Sequence, residues 1–450
     1  MTTQLRLSTR LGWITGALTL LMGTVVMAAD AENTWPQFRG PDGNGMTAEA
    51  YPAEWGDGQN MAWSTEIPGG GWSSPVVSGS RIFVTSAVSP DDIRPKGWGD
   101  GVSSMRSFFQ SKPPTKPLSF QVHCLNLESG DLLWSKQVVS RKPSFKIHPS
   151  NSYATESPIV DGDLVYAYFA AIGSVACLDV QGEVVWQKEV GEFPTSSDFG
   201  TGSSLAMVDG KLFIQCDNEK DSFVCALETE TGKELWRVPR TSRTSWSSPV
   251  VWKNNQRTEL IVCGSGFVTS YDPATGKEFW SLPGMGGAFS ASPTFDAERI
   301  YLGNSGRMSR GPLVAVKAGA EGELDMDSTD GKGVAWAEDA AGPGMCSPVV
   351  VAGRVYVLSR GILSCHNAAT GERIYRQRMQ NASSVTASLW ATDDKVFVLN
   401  ESGETSVVKV GDEFELLGSN EIEGLFWATP SVANESLLLR GAANLHCIRK

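Results

Sequence analysis

Eight cysteines and four histidines are the side chains of this 450-residue chain best suited to soft-metal binding or disulfide formation. Metal sites of that kind need ligands at short, regular spacings such as Cys-x-x-Cys, and no such pair occurs. Cys124, Cys365 and Cys447 instead share one position of a repeated unit, with Cys177 one residue off it, and His123, His366 and His446 stand beside three of them. That pattern reads as small buried residues on equivalent strands, too far apart to bridge within about 7 Å. Cys216 and Cys225 flank the turn DNEKDS and are the one pair whose diagonal approach would permit a disulfide. The acidic stretch ELDMDSTDG sets Glu323, Asp325, Asp327 and Asp330 at nearly the spacing of a calcium loop, one residue too long. A solvated turn insertion is the simpler account. Signatures for a metalloprotease helix, a phosphate-binding glycine loop, a nucleophile elbow or a dinucleotide fold are all missing, so hydrolase and nucleotide chemistry lack their residues.

A second set of residues suits stacking and anion recognition. Trp72, Trp246 and Trp427 each stand two residues before a Ser or Thr that opens a repeat. Arg141, Lys142, Lys146 and His148 fall in one connector, Arg237, Arg240 and Arg243 in another, Arg307 and Arg310 near a third, and Lys112 and Lys116 in a long insertion. Aromatic faces with arginine forks would hold an anionic or carbohydrate-like ligand, or an acidic partner segment. The plain alternative is that loops carry charge because they are solvated and that the tryptophans plug a hole. Which applies depends on the elements that position them.

Those elements are repeats. Starts are visible at Ser74-Pro75, Ser157-Pro158, Ser204-Leu205, Ser248-Pro249, Ser292-Pro293, Ser347-Pro348, Ser388-Leu389 and Thr429-Pro430, mostly 41 to 47 residues apart. Each start leads into a short apolar strand, a turn such as Asp161-Gly162-Asp163, two further strands, and an acidic-Gly turn before a strand bearing Trp134, Trp186, Trp236, Trp280, Trp336 or Tyr375. Four strands in a period near forty predict an all-β, eight-bladed propeller of four-stranded blades over residues 60–450, with an insertion at 87–119. The last unit lacks a fourth strand, and the segment MAWSTEI around Trp63 can supply it, closing the ring by pairing with the C-terminal blade. Length alone would suggest three domains; the repeat reduces them to one. In such a ring, connectors between blades and between second and third strands emerge on one face, so the basic and tryptophan residues above would gather there.

Arg6 and Arg10 precede an uncharged stretch ending in small residues, which reads as a signal peptide over residues 1–29, followed by an extension at 30–59. The expectation is a periplasmic or secreted monomer with no stable membrane span after cleavage; retention of the leader as an anchor is the alternative. A formal charge of -12 argues against nucleic acid as a partner.

The motif Asp272 to Trp280, with Glu230 to Trp236 as a second copy, resembles the repeat of the pyrroloquinoline quinone (PQQ) propeller superfamily. The segments WPQFRGPDGNG (Trp35 to Gly45) and PAEWGDGQNMAW resemble secreted propellers of the same repeat class. The resemblance implies the fold firmly and leaves two functions open, because the superfamily includes quinoprotein dehydrogenases and non-catalytic scaffolds. The first expectation is a scaffold in the cell envelope with no cofactor, binding an envelope protein or an anionic or carbohydrate ligand. The alternative is a dehydrogenase for alcohols or sugars using PQQ with calcium, although the adjacent cysteine pair typical of those enzymes is missing.

Overall fold

The structure is a computed structural model that describes residues 1–2, 34–91, 93–100, 112–306, 309–328, 333–382 and 384–450. The expected leader, the centre of the blade 1 insertion, Arg307 and Asp330 lie outside the described residues.

The chain forms eight sheets in a propeller ring, each with a four-stranded antiparallel core, seven of these cores built from strands successive within one repeat. Blade 3 shows the pattern, with Ala206–Val208, Lys211–Cys216, Phe223–Glu228 and Glu234–Pro239 running from the ring axis outward. In blade 8 the outer strand is Met61–Glu66, paired antiparallel with Asn444–Ile448 in a register that sets Trp63 opposite Cys447. Two sheets carry a fifth strand. Thr34–Trp35 pairs with the first strand of blade 1, and Gly322–Glu323, from the blade 5 insertion, runs parallel to the outer strand of blade 4.

The residues that open each repeat form a belt around the axis. The backbone N–H of Ser74 donates to the Ser157 hydroxyl, Ser157 to Ser204, Ser204 to Ser248, and so on through Ser292, Ser347 and Ser388 to Thr429, at 2.9 to 3.4 Å. A short hydroxyl at this position therefore serves two blades at once. Where blade 8 meets blade 1, the buried Arg440 bridges them by donating to the carbonyls of Ser73 at 2.9 Å and Thr85 at 2.7 Å.

Outer-strand aromatics join the blades at the rim. The indole of Trp236 donates to the Pro273 carbonyl of blade 4 at 3.2 Å, and Trp63, Trp134, Trp186 and Trp336 make the equivalent bond to the next blade. Each of these rings lies over a turn glycine of that blade, Gly276 beneath Trp236 and Gly130, Gly182, Gly232 and Gly371 beneath the others, at distances that leave no room for a Cβ. The Thr-Gly turn and the tryptophan of the repeat are thus two halves of one contact between neighbouring blades. On its own sheet each aromatic faces a small third-strand residue: Cys447, Cys124, Cys177, Ala226, Ser270, Ala315 or Cys365. That accounts for the recurring cysteines.

Blade 7 has Gly418 where the aromatic would stand, and here the N-terminal extension packs instead. Tyr51 accepts a hydrogen bond from the Trp390 indole at 3.0 Å, and the Trp55 N–H donates to Asn420. Upstream, residues 34–47 cross the ring axis. The Pro36 carbonyl accepts from Val160 in blade 2, Arg39 donates to the carbonyls of Pro293 in blade 5 (2.7 Å) and Pro348 in blade 6, and Gly45 and Thr47 bond to Ala391 in blade 7. The Arg39 guanidinium is fully buried with no carboxylate against it among the described residues, and burial pulls its pKa down to about 9.

Candidate functional site

The face opposite that crossing segment carries the connectors, and six rings meet over it. Trp427 stacks with Trp72 and with Trp98, in each case with centroids 5.7 Å apart. Trp98 touches His148 at 5.5 Å, His148 touches Phe199 at 5.0 Å, and Phe199 meets Trp246 edge-on at 5.9 Å. These residues come from successive connectors between blade 7 and blade 4, so the rings form one arc across half the mouth. Three of the indoles and the imidazole are anchored: Trp72 donates to the Ser150 carbonyl, Trp246 to the Gly200 carbonyl, Trp427 to the Glu401 carboxylate at 2.7 Å, and His148 pairs with the Ser150 hydroxyl at 2.7 Å. Glu401 also accepts the Trp98 backbone N–H at 2.6 Å, which ties the described start of the blade 1 insertion across the mouth to blade 7.

The structure brings together the predicted Trp72, Trp246, Trp427 and His148. Phe199 and Glu401 were missed, because they stand at no fixed position of the repeat, and Trp98 belongs to the 87–119 insertion, which the sequence already offered as a segment able to lie over the channel. The wide apolar arc depends on those three.

The predicted basic rim does not assemble as expected. Arg240 is the clearest correction: its side chain is 1% exposed, ion-paired with Asp217 at 2.9 Å and donating to the Tyr271 hydroxyl at 2.8 Å. Arg237 lies on an outer strand, over the Phe223 ring at 3.8 Å, and pairs with Glu234. Arg141 pairs with Glu189, Lys146 with Asp198, Lys116 with Asp91, and Arg243 with Glu219. Neighbouring carboxylates therefore cancel most of the expected charge. Lys142 and Arg310 are exposed and in no ion pair among the described residues, as is Lys112 beside the insertion.

A cavity of about 200 Å³ opens beside the arc, between the insertion and the connector bearing His148, and Arg94, Lys96, Lys112 and Tyr153 line it. Glu156 lies on the axial side of blade 2. Full burial raises its carboxyl pKa to about 7, against opposing pulls from the Thr201 hydroxyl and nearby amides. Of the weak calcium candidates, Asp325 accepts the Asp327 backbone N–H at 3.0 Å in an exposed turn. No three His, Cys, Asp or Glu side chains converge as a metal-holding group among the described residues. All eight cysteines are free, Cys216 and Cys225 included, and burial raises the Cys225 thiol to about 12. No described helix is long and apolar enough to cross a membrane.

The residues present do not fit a calcium-held quinone. Convergent acidic ligands are missing among the described residues, no two cysteines are adjacent, and the protein's own rings fill half of the mouth.

Comparison with known proteins places this geometry. The family described as outer membrane protein assembly factor BamB matches residues 53–257, 220–311 and 264–417. BamB of Yersinia pestis is 24% identical over 212 residues, 44% of this chain and 50% of that protein. BamB of Salmonella typhimurium is 24% identical over 260 residues, 54% of this chain and 60% of its own length. The chain thus spans between half and two thirds of the curated relatives it matches. Among solved structures, BamB from Moraxella catarrhalis superposes with a TM-score of 0.53 at 14% identity, covering 75% of this chain and 96% of that one. Quinohemoprotein alcohol dehydrogenase from Comamonas testosteroni gives 0.58 at 11% identity, covering 92% and 80%. Likeness at such identities shows the fold alone. The repeat, the ring of eight blades and the family match together establish that this chain belongs to the PQQ-like repeat β-propeller family described as outer membrane protein assembly factor BamB.

Proposed function

We propose that this chain is an exported, non-catalytic propeller that works as an assembly scaffold in the cell envelope, docking a protein partner on the aromatic mouth face. The observation that carries the reading is the closure of the axis from both ends, by Arg39 and its segment on one side and by the ring arc on the other. A closed axis leaves the surface around the mouth as the place for recognition. Exposed Lys142 and Arg310, on connectors of the face that carries half-buried Trp98 and Trp246, suit an acidic segment of that partner, and an anionic or carbohydrate ligand would use the same groups. The names of the relatives point to assembly of outer-membrane proteins as the process. No cofactor belongs to this reading, and the protein acts as a monomer in the periplasm.

The test is deletion of the gene in its host followed by quantification of outer-membrane β-barrel proteins. Their levels should fall and return with the wild-type chain, but not with a Lys142→Glu, Arg310→Glu double variant that folds normally. Unchanged levels, or full rescue by that variant, would refute the reading. Saturable PQQ binding with dye-linked oxidation of an alcohol or sugar would replace it with the dehydrogenase alternative.

A further inference from the structure

Five buried side-chain oxygens around the inner seam between blades 2 and 3 have no hydrogen-bond partner among the described residues. They are both carboxylate oxygens of Glu156, the hydroxyls of Thr201 and Ser203, and the amide carbonyl of Gln215. Sequence position explains their meeting. Glu156 and Ser203 each precede a belt serine, Thr201 lies on the connector into blade 3, and Gln215 is in that blade's second strand. Thr201, Ser203 and Gln215 line one cavity of about 30 Å³ together with Tyr168, Ala170 and Asp217. Glu156 borders it: the Thr201 hydroxyl and the backbone amides of Thr155, Glu156 and Ala170 are its polar neighbours, near enough to favour its charged form but outside hydrogen-bond geometry.

Two features separate this cluster from an ordinary polar seam. The Gln215 amide is oriented by its nitrogen, which donates to Asp217 at 2.8 Å and to the Cys263 carbonyl at 2.7 Å, so its oxygen is left as an acceptor. Charge supplies the second. Asp217 is neutralised by Arg240, whereas Glu156 is 0% exposed and has no cation paired with it among the described residues. An isolated buried carboxylate costs several kcal/mol unless something compensates it.

We propose that this seam binds one hard monovalent cation of sodium size, held by Glu156, Thr201, Ser203 and Gln215. Carboxylate, hydroxyl and amide oxygens are the donors that hard cations take. The space suits one small ion, and a single uncompensated negative charge matches a single positive one. Calcium would call for more oxygens and more charge. A bound ion would join blade 2 to blade 3 directly beneath the connector bearing Phe199. The proton is the ion's competitor, because burial keeps the carboxyl partly protonated near neutrality.

The experiment follows thermal unfolding of the full chain, dialysed into sodium-free choline buffer until sodium is gone, at about pH 8 and constant ionic strength in choline, sodium, potassium or calcium chloride. Sodium should raise the midpoint by several degrees with a saturable concentration dependence, and Glu156→Gln should abolish that response. Equal midpoints in choline and sodium, as expected if only water occupies the seam, would overturn the proposal. So would a response to calcium alone, or a sodium response that survives Glu156→Gln. Should that variant fail to fold, Gln215→Leu, which alters no charge, takes its place under the same criteria.

Discussion

Replacing Gly276 with alanine should destabilise the ring by roughly 2 to 5 kcal/mol, and the structure divides that cost into two parts. Gly276 has φ +72, a left-handed conformation in which a Cβ costs about 1–2 kcal/mol. The new methyl would also stand 2.7 Å from the Trp236 ring, and overpacking of that kind typically costs about 1–3 kcal/mol. Gly162 provides the control, with φ +55 and nothing near its Cβ position, so Gly162→Ala should show the first part alone. Urea unfolding followed by tryptophan fluorescence measures both at constant slope. A Trp236→Ala background should bring the Gly276→Ala cost down toward the Gly162→Ala value, since the colliding ring is gone and only Val238, at 3.1 Å, still crowds the new methyl. Equal costs for the two glycine variants in the wild-type background would refute the claim that turn glycine and tryptophan form one contact between blades.

Other expectations follow from single residues. Arg240→Leu leaves Asp217 buried and unpaired and should cost about 3–5 kcal/mol, whereas Arg243→Glu, at a side chain 75% exposed, should change stability by less than about 1 kcal/mol. Glu156 has its folded pKa raised from 4.5 to about 7, so its favourable contribution is complete below pH 4.5 and is lost as pH rises through 7. In sodium-free buffer that loss should approach roughly 3 kcal/mol, at about 1.4 kcal/mol per pKa unit, and Glu156→Gln should remove it from the stability profile. Thiol titration of unreduced protein in denaturant should find eight free cysteines; a count of six would reveal a Cys216–Cys225 bridge.

Much of the ring was legible because a repeat reports its own period. Belt serines, outer-strand tryptophans and turn glycines recur at fixed offsets, so eight blades could be counted. Contacts between repeats were harder to read. Trp236 and Gly276 each stood out as a motif, but nothing within one unit says that one covers the other in the next. Arg240 illustrates the failure at the candidate site. Its place just before a connector suggested an exposed rim, while Asp217, which buries and neutralises it, sits at the end of another strand. Arg39 and Trp98 lie in segments that occur once, where periodicity has nothing to compare. The arc was legible through the three tryptophans sharing a register and through His148 on its connector.

The segment crossing the axis also constrains how the molecule can be made. Residues 34–47 touch blades 1, 2, 5, 6 and 7, and Met61–Glu66 needs the C-terminal strand as its partner. The part of the chain synthesised first therefore cannot reach its final place until the last blade exists. Pairings between such distant positions are slow to form and leave strand edges open meanwhile. A chain stopped before blade 8 would therefore leave Met61–Glu66 without its partner strand however complete its earlier blades.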